Sequence, residues 1–161
     1  FELKDKLISF YQKNKLSILT SVCLLIILII SFFFIQNLRL KNNELIGEKY
    51  IQAGLYLASD KKEESKKLFE EIILSENKFY SILSLNTILE KNLESDKNKI
   101  LKYFEIVEDL ANTKEQKDLL IFKKSLFLIN VLEIKEGEKL LRMLINSDSK
   151  YKKLAEEILL D

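Results

Sequence analysis

Paired carboxylates are the residues of this sequence that come closest to a catalytic pattern. Glu63-Glu64 and Glu70-Glu71 could supply a general acid and a general base. Adjacent residues on a helix point in different directions, however, so each pair is better interpreted as part of a solvated helix face. The chain contains no histidine, its single cysteine is Cys23, and it has only three glycines. These residue types favour no metal site, thiolate nucleophile or phosphate-binding loop, and we expect neither enzymatic activity nor a cofactor.

One enzyme class stays open on residue types alone, namely a membrane-anchored Ser/Lys hydrolase. Serine and lysine are abundant in the sequence, but no particular pair stands out. A domain built only from helices also offers no obvious loop for an oxyanion hole. A binding protein is therefore the preferred interpretation.

Tyrosines are the residues most suited to binding a protein partner. Tyr56, Tyr80 and Tyr103 fall on three different predicted helices. Tyrosine combines a large apolar ring with a polar hydroxyl and is enriched at protein interfaces. We predict that one or two of these three side chains line a groove for peptide or partner segments, whereas the phenylalanines, including Phe104, belong to the core.

A long run of uncharged residues lies near the beginning of the chain and precedes the rest of the sequence. Leu16–Ile35 contains twenty residues without a charge, sixteen of them apolar. A helix of that length is ~30 Å long, which matches the hydrocarbon core of a bilayer. A buried core helix and a cleaved signal peptide are the alternatives, but the run lacks a polar face and no small-residue cleavage site follows it. We predict a permanent signal anchor over residues 16–38, between a cytoplasmic head at 1–15 and a folded domain at 39–161.

The distribution of basic residues predicts the orientation of this span. Four basic residues precede it and three follow it within fifteen positions: Lys4, Lys6, Lys13 and Lys15 against Arg39, Lys41 and Lys49. The positive-inside rule then places the head in the cytoplasm. Phe10 and Tyr11 fit the near interface of the bilayer. The sequence thus predicts a single-pass protein of the bacterial inner membrane with a periplasmic C-terminal domain.

The overall charge excludes one class of partner. The chain has 26 basic and 25 acidic residues, for a net charge of +1. A nucleic-acid-binding domain would carry a clear basic excess. We expect protein partners and lipid around residues 16–38, and neither nucleic acid nor a small-molecule substrate.

Helical periodicity and the absence of proline predict that the remaining chain is all-α. The pattern predicts these approximate helices: Asn42–Ser59, Lys62–Leu74, Lys78–Leu93, Lys97–Ala111, Lys114–Leu132, Lys135–Asn146 and Lys150–Leu160. Capping boxes are predicted for Asp60 with Glu63 and for Thr113 with Gln116, because each pair has the required spacing. Further N-cap candidates are Ser75, Ser95 and the cluster at 147–149.

Similar segments recur at intervals of about one helix pair. Residues Ser65, Ile100 and Glu136 begin comparable segments, spaced by 35 and 36 residues. Residues 75–79 recur as residues 147–151, two periods later. A period near 34 with two helices per unit is typical of tetratricopeptide repeats. We therefore predict degenerate tetratricopeptide-like helical hairpins, with an ordinary helical bundle as the alternative.

The whole arrangement resembles one family, the YfgM-like ancillary subunits of the bacterial Sec translocon. The resemblance rests on these segments: Phe10–Lys15 before the membrane, Tyr50-x2-Ala53-Gly54 opening the domain, Lys78–Leu85 opening the second unit, and Tyr151-x2-Leu154-Ala155-Glu156-Glu157 near its end. It implies a role beside the Sec channel and periplasmic chaperones in handling exported chains. The alternative function is an envelope scaffold for cell division or outer-membrane assembly that uses the same repeat domain.

Overall fold

The computed structural model describes the backbone of residues 2–160 and the side-chain surroundings of residues 14–17 and 19–160. Every regular element within this part of the chain is a helix, as predicted: α1 (Glu2–Ala58), α2 (Lys62–Leu74), α3 (Tyr80–Glu90), α4 (Lys97–Leu110), α5 (Lys114–Asn130), α6 (Ile134–Ile145) and α7 (Lys152–Leu160). The helical backbone of α1 is interrupted at Asn14. The chain divides into two compact units, residues 1–44 and 45–161.

The first unit contains a helix that is long and apolar enough to cross a membrane. Its large apolar side chains are exposed, for example Leu28 at 68% and Phe33 at 67%. The hydroxyl of Thr20 donates a hydrogen bond to the carbonyl oxygen of Ser17 at 2.9 Å, which satisfies one polar group within the helix. It is the one such helix among the described residues. The predicted interfacial residues Phe10 and Tyr11 lie outside the residues whose side chains are described.

The second unit is held together by the apolar faces of consecutive helices. The larger core cluster joins the last turns of α1 to α2, α3, α4 and the beginning of α5. Phe104 lies in this cluster and is fully buried, which confirms its predicted core position. A smaller cluster around Leu141, Leu144 and Ala155 joins α5, α6 and α7. The most extensive contacts between elements are those of α2 with α3, α5 with α6, and α6 with α7.

Small polar side chains let the helices approach closely. The buried hydroxyl of Ser65 on α2 donates to the carbonyl oxygen of Ala53 on α1 at 2.9 Å. Ser81 on α3 donates in the same way to Ile72 on α2, also at 2.9 Å. Because each hydroxyl bonds a carbonyl on the neighbouring helix, it fixes the contact without leaving a buried polar group unpaired.

The N-terminal ends of α4 and α5 are each capped by a side chain. Thr113 and Gln116 form the predicted capping box at the start of α5. The side chain of Asp96 caps α4 by accepting hydrogen bonds from the N–H groups of Asn98 and Lys99, whereas Ser95, the predicted cap, lies one residue too early. Both helices therefore begin within one residue of a side chain that satisfies their free N–H groups.

Two other predicted caps are wrong. Asp60 does not cap α2, because its backbone has φ 57° and closes the end of α1 instead. The N–H of Lys61 bonds the carbonyl oxygen of Tyr56 at 2.9 Å, the six-to-one closure typical of a left-handed helix terminus. Ser75 ends α2 and donates to the carbonyl of Ile72. Helix α3 begins at Tyr80 and not at Lys78, and the side chain of Asn77 in the turn before it accepts hydrogen bonds from the N–H groups of Phe79 and Tyr80.

Candidate functional site

The three tyrosines predicted to line a groove lie in different surroundings. Tyr103 is only 2% exposed and belongs to the core, so it cannot line a surface groove. Burial raises the pKa of its phenol, and the nearby carboxylate of Glu70 raises it further. Its position on the inner face of α4 follows from the same stripe that buries Phe104. This burial removes Tyr103 from the candidate groove.

Tyr80 and Tyr56 are half-buried, and each is occupied by contacts within the domain. The ring of Tyr80 packs against those of Tyr50 and Phe79, with centroids 5.6 and 5.0 Å away. Its hydroxyl lies so close to Gly47 that an added Cβ would come within 2.8 Å of it. The hydroxyl of Tyr56 accepts a hydrogen bond from Gln52, and the ammonium of Lys61 lies 5.7 Å from its ring. The described ring contacts do not join Tyr56, Tyr80 and Tyr103 into one surface.

A different depression on the domain is large enough to hold a partner segment. It lies between α3, the α3–α4 link, the beginning of α4 and the second half of α5, and has a volume of about 540 Å³. That volume falls within the range of about 300–1,000 Å³ typical of ligand sites. We call it the α3–α5 groove. Its apolar floor is formed by Ile88, Leu89, Ile100, Leu126, Phe127 and Val131, and its polar rim by Glu90, Asn92, Glu94, Ser95, Lys123 and Asn130.

The floor of the groove is a continuation of the main core. Ile88 and Ile100 are buried core residues at the bottom of the groove. Phe127 packs against Phe104 with ring centroids 6.1 Å apart, and Leu126 beside it remains 38% exposed. An apolar side chain entering the groove would therefore contact a rigid, preformed surface.

Glu94 supplies an unusual feature of the rim. One carboxylate oxygen, Oε1, accepts hydrogen bonds from the backbone N–H groups of Ser95 at 2.8 Å and Asp96 at 2.9 Å. The other oxygen, Oε2, is buried and has no hydrogen-bond partner among the described residues. The ammonium groups of Lys99 and Lys66 lie 3.6 and 3.9 Å from it. The N–H of Asp96, chiefly, holds the pKa of Glu94 below its usual value against the opposing effect of burial, so the carboxylate is ionised at neutral pH.

Of the other polar side chains of the rim, some have a hydrogen-bond partner among the described residues and some do not. Lys123 donates to the side-chain oxygen of Asn86 at 2.8 Å and lies 3.8 Å from Glu90. Asn92 and Asn130 are exposed, and their side-chain amides form no hydrogen bond within the described residues. Each amide can both donate and accept, so the rim offers free groups of both kinds to an occupant.

Sequence reasoning missed this groove because its walls are distant along the chain. Glu94 resembles any charged residue of a helix link, and nothing in its spacing indicates burial. One signal was present: α5 is apolar on more than one face through Leu126 and Phe127, which implies neighbours on two sides. The structure supplies neighbours on two sides of α5, since Phe127 packs into the larger core cluster and Phe122 into the smaller one, and it leaves Leu126 38% exposed.

The groove combines an apolar floor with a few polar groups, a composition typical of binding sites. Its titratable groups are Glu90, Glu94 and Lys123, and the carboxylate of Glu94 is compensated by two lysines. Within the described residues no group of three His, Cys, Asp or Glu side chains is arranged to hold a metal ion. Binding of an apolar segment is the chemistry that these residues can support.

Comparison with known proteins identifies no relative of this chain. No family model matches the chain, and neither a curated protein nor a solved structure is significantly similar to it.

Proposed function

We propose that this protein is a membrane-anchored, non-enzymatic module that binds protein partners through the α3–α5 groove. The observation that carries the proposal is the groove itself, whose open apolar floor is bordered by polar and charged side chains. A preformed apolar floor with a few convergent polar groups is the usual composition of a binding site. The proposed binding surface is therefore the α3–α5 groove and not the surface that was predicted around the three tyrosines.

In this proposal α2 to α7 are degenerate tetratricopeptide-like hairpins. The 35- and 36-residue spacings, which start on α2, α4 and α6, and the extensive contacts of α2 with α3 and of α6 with α7 support that interpretation. Such repeats stack into extended surfaces that suit partner binding. The function needs no cofactor, because binding depends on shape and hydrogen bonding alone.

The proposed location is the bacterial inner membrane, with the head in the cytoplasm and the domain in the periplasm. The apolar helix in residues 16–38 serves as the anchor and is surrounded by lipid. The span contains no ionisable residue apart from Cys23, so it is suited to anchoring and not to transport. Anchoring raises the effective concentration of the domain near a membrane-bound partner, which makes weak binding useful.

The proposed partners are the Sec channel, a periplasmic chaperone or exported chains. This choice follows the resemblance to the YfgM-like subunits of the Sec translocon. The balanced charge of the chain supports a protein partner over nucleic acid.

Site-specific photo-crosslinking from the anchored chain in living cells tests this function. A photoreactive residue at Leu126, in the groove, is expected to capture the channel, a chaperone or exported chains. Leu154 on α7 provides a matched control, because it is a leucine of similar exposure, 47% against 38%, outside the groove. A second probe at Tyr56 tests the surface originally predicted.

The identity of the captured proteins decides between the two functions. If Leu126 crosslinks only to division or outer-membrane assembly proteins, the envelope scaffold replaces the export module. If Leu126 and Leu154 give the same weak, unspecific products, the groove is not the binding site and the proposal fails.

A further inference from the structure

A second, more polar pocket lies at the beginning of α5. It is bounded by the first turns of α5 and by the link between α6 and α7, and it has a volume of about 370 Å³. We call it the polar pocket. Its lining residues are Lys114, Glu115, Asp118, Asp148, Ser149 and Lys150. None of them lines the α3–α5 groove, so an inference about the polar pocket does not depend on the proposed function.

Asp118 is the buried charged residue of the polar pocket. It is only 9% exposed, and its carboxylate forms no hydrogen bond or ion pair with any residue that the structure describes. Unlike Oε2 of Glu94, its oxygens are accessible from the pocket that they line. Asp118 lies in the second turn of α5, whereas stabilisation by the helix macrodipole falls off within the first turn. A buried carboxylate is costly without a partner, and nothing in the fold compensates this one.

The two lysines of the polar pocket interact with other groups. The ammonium group of Lys114 donates to the backbone carbonyl oxygen of Asp148 at 2.6 Å. The ammonium group of Lys150 lies 3.8 Å from the carboxylate of Glu115. The side-chain carboxylate of Asp148 has no cationic partner in the described part of the chain. The polar pocket therefore presents two uncompensated carboxylates, those of Asp118 and Asp148.

Charge complementarity favours a cation as the occupant, and the donor set decides which kind. Among the described residues, no three Asp, Glu, His or Cys side chains are arranged to hold a metal ion. An ammonium or guanidinium group needs only one or two carboxylates, with which it forms short charge-assisted hydrogen bonds. So few contacts do not offset the freedom that a small amine loses on binding, so the cation is expected to belong to a larger partner.

From these contacts we infer that the polar pocket binds one lysine or arginine side chain of a partner protein. The ammonium or guanidinium group donates to the carboxylate of Asp118, and Asp148 on the α6–α7 link contributes a second carboxylate. The polar pocket is then a second contact surface of the domain, with a chemistry different from that of the α3–α5 groove.

Binding of short fluorescent peptides to the full chain in lipid nanodiscs tests the inference. The parent probe is a capped peptide with one central arginine between glycine and serine residues. One matched probe carries lysine, and another carries citrulline, which keeps the shape of arginine but is neutral. Zwitterionic lipid limits adsorption of the basic probes, and empty nanodiscs provide the blank for fluorescence anisotropy. Putrescine and calcium chloride serve as competitors that represent a free amine and a metal ion.

The structure predicts a distinct result for each change. The arginine and lysine probes are expected to bind, whereas the citrulline probe binds about tenfold or more weakly, because it lacks the charge that Asp118 requires. Asp118→Asn is nearly isosteric and is expected to cause a similar loss. It is also expected to keep or raise the temperature of thermal unfolding, because it removes a charge that the fold does not compensate. Asp109→Asn is the control, because it removes an exposed carboxylate on α4 outside the polar pocket.

Three outcomes would overturn the inference. The first is equal binding of the arginine and citrulline probes, which uses the unaltered chain and holds even if Asp118→Asn does not fold. The second is unchanged affinity or a lower unfolding temperature in Asp118→Asn, which would show that the carboxylate serves the fold instead. The third is displacement of the arginine probe by an equal concentration of putrescine or calcium chloride, which would indicate a site for a free amine or a metal. Crosslinking at Leu126 tests the proposed function separately.

Discussion

Leu132 adopts a backbone conformation that is unfavourable for its side chain. It has φ 65° and ends α5, where the N–H of Glu133 bonds the carbonyl oxygen of Leu128 at 2.8 Å. The left-handed conformation costs an L-residue other than glycine roughly 1–2 kcal/mol, and asparagine or aspartate less. Leu132 is 83% exposed, so burial of its side chain contributes little stabilisation to offset this cost.

Replacement of Leu132 by glycine is therefore expected to stabilise the domain. We predict that Leu132→Gly raises the free energy of unfolding by up to about 1 kcal/mol, the left-handed penalty being partly offset by the greater freedom of glycine in the unfolded chain. Urea unfolding of the full chain in detergent, followed by circular dichroism, measures the change. Asp60→Gly at the equivalent closure of α1, with φ 57°, is the control and is expected to gain less. A loss of stability in Leu132→Gly would show that its side chain makes a contact that the exposure does not reveal.

Two glycines, one on α6 and one on α1, differ in the space that is available for a side chain. A Cβ at Gly137 on α6 would lie 2.6 Å from Cγ1 of Ile129 and 2.8 Å from the carbonyl oxygen of Ser125, both on α5. A Cβ at Gly54 on α1 would meet nothing within 4 Å. Gly137 thus sets the distance between α5 and α6, whereas Gly54 has no packing role.

The same substitution should therefore have opposite effects at the two positions. Gly54→Ala is expected to stabilise the domain by about 1 kcal/mol through helix propensity alone. Gly137→Ala gains the same propensity but forces α5 and α6 apart, which costs typically about 1–3 kcal/mol, so a net loss is expected. Thermal unfolding of the two variants side by side measures the difference. Equal shifts would mean that the α5–α6 contact relaxes without cost.

Local sequence signals predicted the helices well where side chains form hydrogen bonds with the free backbone groups at the helix ends. The apolar stripe of α4 and the capping box of α5 are both present as predicted, because each depends on residues close in sequence. Helix ends that depend on backbone closure were missed, since the sequence has few glycines to mark them. Asp60, Asn92 and Leu132 all have positive φ at such ends.

The candidate site was not predictable in the same way. Tyr103 has the composition of an interface residue, but its place on the inner face of α4 buries it. Glu94 lines a groove only because α5 packs across the link that contains it. Both facts depend on how distant helices pack together, which residue types and spacings do not encode locally.

At the scale of the whole molecule, the apolar helix of the first unit predicts an accessible domain on one side of a membrane. The small basic excess before the span favours the proposed orientation, in which that domain lies outside the cytoplasm. Protease added to spheroplasts is expected to digest residues 45–161 and to spare the head. Antibodies against tags at the two ends measure which part survives. Digestion in inside-out vesicles alone would reverse the proposed orientation.

The position of Glu94 also has a consequence for the ionic conditions under which the groove works. Salt screens exposed charges strongly but affects buried ones much less. The carboxylate of Glu94 is nearly inaccessible, and its charge is offset by Lys66 and Lys99 within the domain. An occupant held by the apolar floor of the groove owes little of its affinity to long-range attraction. Its residence in the groove would then be largely independent of the ionic strength of the surrounding solution, unlike that of partners drawn in by opposite charge.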